Sequence, residues 1–436
     1  MKRITSLLVV AVLAGLLLTG CHLRPLLSDV SVTPAVISPN ADGIDDATNI
    51  SYELSRNAAV SIYFVKDGDQ FYFRQDRPRS PGPYQVQWGG GINQPYWLDL
   101  ESGAGRQLVE SWVLPDGAYT WVVAATDDGG NTEKAEGQIT ISGGDSVVPR
   151  LDKFTVTLPT FTPNQDGIDD RTGVSYYLNK KVDNVEVYLY DPAQPGVHYV
   201  LEEQERAVKA GEAGYHYYDY DGGVDRGADP PADGTYVVVG EARDLSGYHV
   251  VVSSTVTIQQ GGKPRAEVVN GEIHWGDVTR SLEGTELYMP LGATLVFTTY
   301  IENVGTVPIR TSGPPSGTPY RSDQNANTLA VEMGQSSYYE QAGVWRFGIN
   351  FDVSKTDFPY RWAVGRPDEL RREIIDGQEQ WFLDPGKRGT VTGSIELIGP
   401  FPRDQIYAWG GLIHEWVGID AQNNYVDRVL IHIGQP

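Results

Sequence analysis

The nonapeptide SPNADGIDD, Ser38–Asp46, returns later in the chain as TPNQDGIDD, Thr162–Asp170. The correspondence does not stop there. ISYEL at Ile50–Leu54 aligns with VSYYL at Val174–Leu178, and the alternating run AVSIYF at Ala59–Phe64 aligns with NVEVYLY at Asn184–Tyr190. LPDGAYTWVVAATDDGGN, Leu114–Asn131, has its counterpart in PPADGTYVVVGEARDLSG, Pro230–Gly247. A period of this length is a duplicated domain rather than one turn of a solenoid. Any fold proposed for the first copy must therefore serve the second, although the two differ at most positions.

Within each copy, short runs alternate apolar and polar residues and are separated by Gly, Pro, Asn and Asp. That pattern predicts antiparallel β-sandwiches. The chain has 436 residues, with 49 Gly, 27 Pro and an aromatic fraction of 11%. This composition suits many short strands joined by turns. We expect an all-β chain of three tandem Ig-like antiparallel β-sandwiches behind a signal peptide. The expected units are residues 29–143, 149–260 and 264–436, with QQGGKPR at Gln259–Arg265 as the second linker. The first copy carries an insertion, Gly91–Trp112, whose Tyr96, Trp97 and Trp112 are suited to cover the sandwich or form a contact surface. The third unit lacks the nonapeptide but contains alternating strands, such as Thr294–Ile309. RPDELRREII, Arg366–Ile375, reads as its only short helix, and SDQNAN, Ser322–Asn327, as a polar loop.

The N-terminus supplies an address. Lys2 and Arg3 precede an apolar run from Leu7 to Leu18, which is too short to span a bilayer comfortably. Small residues follow, as in a secretory signal. The tetrad Leu18-Thr19-Gly20-Cys21 resembles the bacterial lipoprotein lipobox. The resemblance implies cleavage after residue 20, acylation (typically with palmitate) of Cys21, and a tether over residues 21–28. It places the protein outside the cytoplasm, lipid-anchored to a bacterial membrane at the cell surface or outer membrane. Cys21 is the only cysteine, so the chain cannot form an internal disulfide.

The order PNxDGxxDD, Y-x-L strand, W-G-G or Y-D-G-G, then DG-x-Y resembles the Ig-like domain of the flagellar hook-capping protein. It is also similar to sandwiches at the C-termini of secreted gliding-motility proteins. ENVG inside Thr294–Ile309 resembles bacterial adhesion-type Ig-like domains. These resemblances imply fold and an extracellular setting, and they leave function open.

The nonapeptides raise one chemical question. Asn40, Asp42, Asp45 and Asp46, with Asn164, Asp166, Asp169 and Asp170, reproduce part of an EF-hand calcium loop, glycine included. Both lack its full frame and terminal glutamate. Two readings stand: a Ca²⁺ site in each copy, or an Asx-turn whose carboxylates serve the backbone.

The net charge of −23 disfavours nucleic acid. No H-E-x-x-H, G-x-S-x-G or phosphate-loop motif occurs, and His414 in IHEWVG reads as a strand residue. The expected function is a noncatalytic adhesion or assembly module that projects its C-terminal unit toward a protein or polysaccharide. The alternative is carbohydrate binding by aromatics of the third unit, with Trp345, Trp362, Trp409 and Trp416 as candidates, and the minor alternative is an enzyme of unknown substrate.

Overall fold

The computed structural model describes residues 24–100, 105–205, 208–279 and 284–434. The signal sequence and Cys21 lie outside the described residues.

In the first copy the strands are β1 (Leu27–Thr33), β2 (Val36–Ile37), β3 (Thr48–Leu54), β4 (Ala58–Lys66), β5 (Asp69–Arg79), β6 (Gly82–Trp88), β7 (Gly91–Ile92), β8 (Tyr96–Asp99), β9 (Arg106–Val113), β10 (Gly117–Asp127) and β11 (Thr132–Ile141). A three-stranded sheet, β1-β3-β6, faces a five-stranded sheet, β2-β11-β10-β4-β5. Alternation decides which side faces in: Ile50, Tyr52 and Leu54 of β3 are buried against Val60, Ile62 and Phe64 of β4.

The second copy has β12 (Leu151–Val156), β13 (Thr160–Phe161), β14 (Thr172–Leu178), β15 (Asn184–Tyr190), β16 (His198–Val200), β17 (Gly214–Tyr220), β18 (Gly234–Arg243) and β19 (His249–Ile258). Sheet β12-β14-β17 repeats β1-β3-β6, and Val174, Tyr176 and Leu178 of β14 are buried as Ile50, Tyr52 and Leu54 are. The pairing is antiparallel apart from two-residue parallel contacts, β2 on β11 and β13 on β19.

DG-x-Y has a structural cause in both copies. The Tyr119 hydroxyl donates to the Pro115 carbonyl at 2.7 Å, and the Tyr236 hydroxyl to Ala232 at 2.8 Å. Each tyrosine ties the start of a central strand to the turn before it, the device known as a tyrosine corner.

The insertion joins the two copies. β9 pairs with β19 in the register Val109↔Val250 and Leu108↔Val251, and β8 pairs with β9. The second copy's sheet therefore runs β16-β15-β18-β19-β9-β7. Leu100 and Val109 belong to the second copy's core. Gln107 is fully buried; its amide donates to the Pro149 carbonyl at 2.8 Å and accepts from the Leu151 N–H at 3.0 Å.

The third unit has its own core, from Ala266 to Ile431, between two mixed sheets. Two expectations fail there. Arg371–Ile375 is a strand, paired with Gln378–Leu383 across Asp376 and Gly377. Both turn residues have positive φ, 51° and 76°, and a two-residue Asp-Gly hairpin turn requires that. The helix lies instead at Ala326–Met333 (α1). Asn325, inside the stretch expected to be a loop, caps it: its side chain accepts from the Thr328 N–H at 2.9 Å, and the Thr328 hydroxyl takes the Asn325 N–H.

Candidate functional site

The two acidic nonapeptides fold alike. In the first loop the Asn40 and Ala41 N–H groups donate to Asp46 Oδ1 at 3.1 and 2.8 Å, and the Gly43 N–H donates to Oδ2 at 2.7 Å. Asn40 and Asp42 side chains accept from the N–H two residues on, at 2.9 and 2.8 Å. In the second loop Asp170 accepts from Asn164, Asp166 and Gly167, while Asn164 and Asp166 accept from Asp166 and Ile168. Left-handed backbone recurs at Ala41, Gly43 and Asp45 and at Gln165, Gly167 and Asp169. The Asx-turn reading thus accounts for Asn40, Asp42 and Asp46 and their counterparts. Asp45 and Asp169 are exposed. Among the described residues no group of three or more His, Cys, Asp or Glu is arranged to hold a metal.

The surroundings of the two loops differ. Residues Asn40–Asp45 are exposed. Asn164 and Asp166 are buried, at 2% and 8% exposure, because the second loop docks on the third unit. His414 Nε2 lies 2.8 Å from the Gln165 carbonyl. A Cβ on Gly167 would fall 2.1 Å from the Ala342 carbonyl oxygen, and one on Gly343 would fall 2.1 Å from the Asp166 backbone. Arg310 holds the Ala342 carbonyl at 2.6 Å.

Burial reverses the electrostatics. Slight burial opposes it, but the N–H groups of Gly43, Asn40 and Ala41 hold the Asp46 carboxyl below its usual range. In the second loop burial, then the charge of Asp170, pushes Asp166 up to about 6, and burial also raises Asp170 over its own backbone hydrogen bonds. Burial holds His414 down to about 4.

A buried ion network that the sequence did not suggest supports the socket. Arg346, fully buried, donates to the carbonyls of Ser312, Ser337, Tyr338 and Tyr339 at 2.6–3.1 Å. Glu415, adjacent to His414, lies 3.6 Å from Arg346 and 2.9 Å from Arg361. The Glu415 backbone bonds Gly343 and Val344, so this network fixes the segment that receives the second loop. His414 thus ends a strand, Gln405–His414, at the joint between units.

The tryptophan candidates divide. Trp345, Trp362 and Trp409 are buried, at 4%, 0% and 8% exposure, which corrects their assignment to a binding face. Trp362 packs edge-on against Phe297 and Tyr320 and donates its N–H to the Thr318 carbonyl at 2.8 Å. Trp345 stacks on His414, and Trp409 on Tyr425. The rings of Trp345 and Trp362 fill the core between the sheets, and Trp409 packs with Phe358 and Ile413 in a separate cluster. Trp416 alone is exposed, at 78%, in the turn after His414.

No family model matches the chain, and no curated protein matches it. Solved structures that align with it include the native conformation of E. coli alpha-2-macroglobulin, at 11% identity and TM-score 0.18. That alignment covers 95% of this chain and 23% of the macroglobulin, so the chain spans under a quarter of that protein. A Ca²⁺-stabilised ice-binding adhesin of an Antarctic bacterium aligns at 13% identity and TM-score 0.24, over 94% of this chain and 73% of that one. Fibronectin(III)-like modules of Clostridium thermocellum CbhA align at 12% identity and TM-score 0.20, over 52% and 92%. At such low scores these structures say nothing about what this chain binds. Among the described residues no helix is long and apolar enough to cross a membrane.

Proposed function

We propose that the protein is a noncatalytic surface arm, lipid-anchored through Cys21, that carries its third unit on two rigidly joined sandwiches. The observation that carries this reading is the pair of joints. One is a shared β-sheet, β9 on β19, and the other is a loop plugged into a socket with no room for a Cβ on either side. A flexible tether would need neither. Ser111 Oγ to the Gly247 carbonyl, at 2.9 Å, and Lys180 bridging Asp145 and Asp244 reinforce the first joint. A stiff molecule with acylation at one end suits adhesion or assembly at the cell surface.

Small-angle scattering of the purified protein tests the arm, which predicts one extended rigid particle. A broad distribution of dimensions, as for beads on a string, would refute it. Labelling with radioactive palmitate tests the anchor; label persisting in Cys21→Ser would refute acylation at that residue.

A further inference from the structure

The first joint encloses a cleft of about 570 Å³. Ala41, Gly43 and Asp46 of the first acidic loop line it on one side, and the turn Leu245–Gly247 of the second copy lines it on the other. Phe73, Gln87 and Asn93 also line it. Its size is that of a small-ligand site, and such sites favour domain interfaces. The cleft is preformed, because the β9–β19 pairing fixes one wall and Ser246 Oγ is held by Asp145 at 2.8 Å.

Its chemistry departs from the rest of the surface. In a chain with 57 acidic and 34 basic residues, the one ionisable group lining the cleft among the described residues is Asp46, whose two oxygens already accept three backbone N–H groups. Gln87 and Asn93 are exposed, and no hydrogen bond to either side-chain amide is found among the described residues. Each amide offers two donors and one acceptor, matching hydroxyls that both donate and accept. Phe73 adds aromatic carbon, with the Arg74 guanidinium 5.2 Å from its centroid. The cleft at the second joint, about 390 Å³, is different: Asp229, Lys263 and Arg265 line it.

We propose that the cleft between the first acidic loop and the Leu245–Gly247 turn binds a neutral oligosaccharide, with Gln87 and Asn93 as the hydroxyl-reading residues. An anionic ligand would meet the Asp46 carboxylate in the lining, and a cationic one would find that carboxylate already occupied by three backbone N–H groups. A peptide anchored by a side chain would need a deep apolar pocket, and Trp88, at 1% exposure, leaves none. The proposal rests on the fixed first joint; a mobile joint shows in scattering and absent binding in calorimetry, so the two failures separate.

The test is isothermal titration of the purified full-length protein with cellohexaose, laminarihexaose, maltohexaose and xylohexaose, and with polygalacturonate as the acidic control. At least one neutral hexaose is expected to bind. The double variant Gln87→Ala/Asn93→Ala is expected to lose about tenfold in affinity with an unchanged melting temperature. Leu245→Trp, which narrows the mouth from the other copy, is expected to weaken the same ligand. The proposal is overturned if no neutral hexaose binds, if polygalacturonate alone binds, or if both variants bind as the parent does. Displacement of the sugar by an unstructured peptide but not by a second sugar would assign the cleft to peptides instead.

Discussion

The two acidic loops share a sequence, a hydrogen-bond scheme and three left-handed residues, yet one is exposed and the other is a buried plug. Nothing inside the nonapeptide makes that difference. In the second loop the contacts come from Arg310, Ala342, Gly343 and His414, all in the third unit. The motif therefore specifies a rigid, self-satisfied turn, and the neighbouring surface decides its use. The turn suits docking because Asp170 already serves its backbone donors, so little unpaired polarity is carried into the interface.

The glycines give the sharpest contrast. Gly167→Ala forces a methyl into the Ala342 carbonyl and is expected to cost about 3 kcal/mol and release the third unit. Gly43→Ala meets open space and is expected to cost about 1 kcal/mol for its positive φ alone. Thermal unfolding reads both, and equal losses would break the comparison. Arg310→Ala comes next. It removes the charged hydrogen bond to the Ala342 carbonyl and the cation near Asp166 and Asp170, and is expected to cost about 2 kcal/mol, with no counterpart in the first loop.

The pH response has a smaller, signed effect. Asp166 has a docked value near 6, above its ordinary 3.8, so proton uptake favours docking and stability from this group rises as pH falls through that window. Asp170, also raised, adds to it. His414 is held near 4, below its ordinary 6.5, so docking excludes its proton and stability from this group falls over nearly the same window. The two oppose each other, and the parent joint is expected to respond little. Asp166→Asn exposes the histidine's share: the melting temperature should drop by about 3–5 °C more than the parent's between about pH 7 and about pH 4.5. His414→Gln, which keeps a donor for Gln165, should shift it the other way. Identical pH profiles in both variants would refute the opposition.

Calcium should do least. With the loop oxygens already accepting N–H groups, millimolar calcium is expected to move the melting temperature by less than about 1 °C relative to chelator. A rise of several degrees that Asp42→Ala abolishes would return the ion to the first loop.

Much of the fold was legible from the chain. Alternation placed β3 and β14, and the recurrent DG-x-Y marked the tyrosine corners. The Asp-Gly at 376–377 was a hairpin signal, but the charged periodicity of Arg366–Ile375 imitated a helix. The true helix announced itself only through Asn325 and Thr328, a cap without a strong apolar stripe. The candidate site was half legible. The nonapeptides stand out, but the socket combines Arg310, Gly343 and His414 from three separate strands and loops, and sequence proximity carries no trace of such a union. Tryptophan count likewise cannot tell a core ring from a surface one; Trp362 and Trp416 differ only in what surrounds them.

The strand donated at the first joint has a consequence for solubility. The last strand of the first copy, β11, begins Thr-Glu-Lys-Ala-Glu, Thr132–Glu136, and its charges discourage a foreign strand from adding there. β19, its counterpart, begins His-Val-Val-Val, His249–Val252, and would be a sticky template for other molecules if left bare. β9 covers that stretch at His249, Val250 and Val251. Two similar sandwiches side by side invite mispairing between chains, and the insertion in the first copy closes the second copy's vulnerable edge against aggregation from within the same molecule.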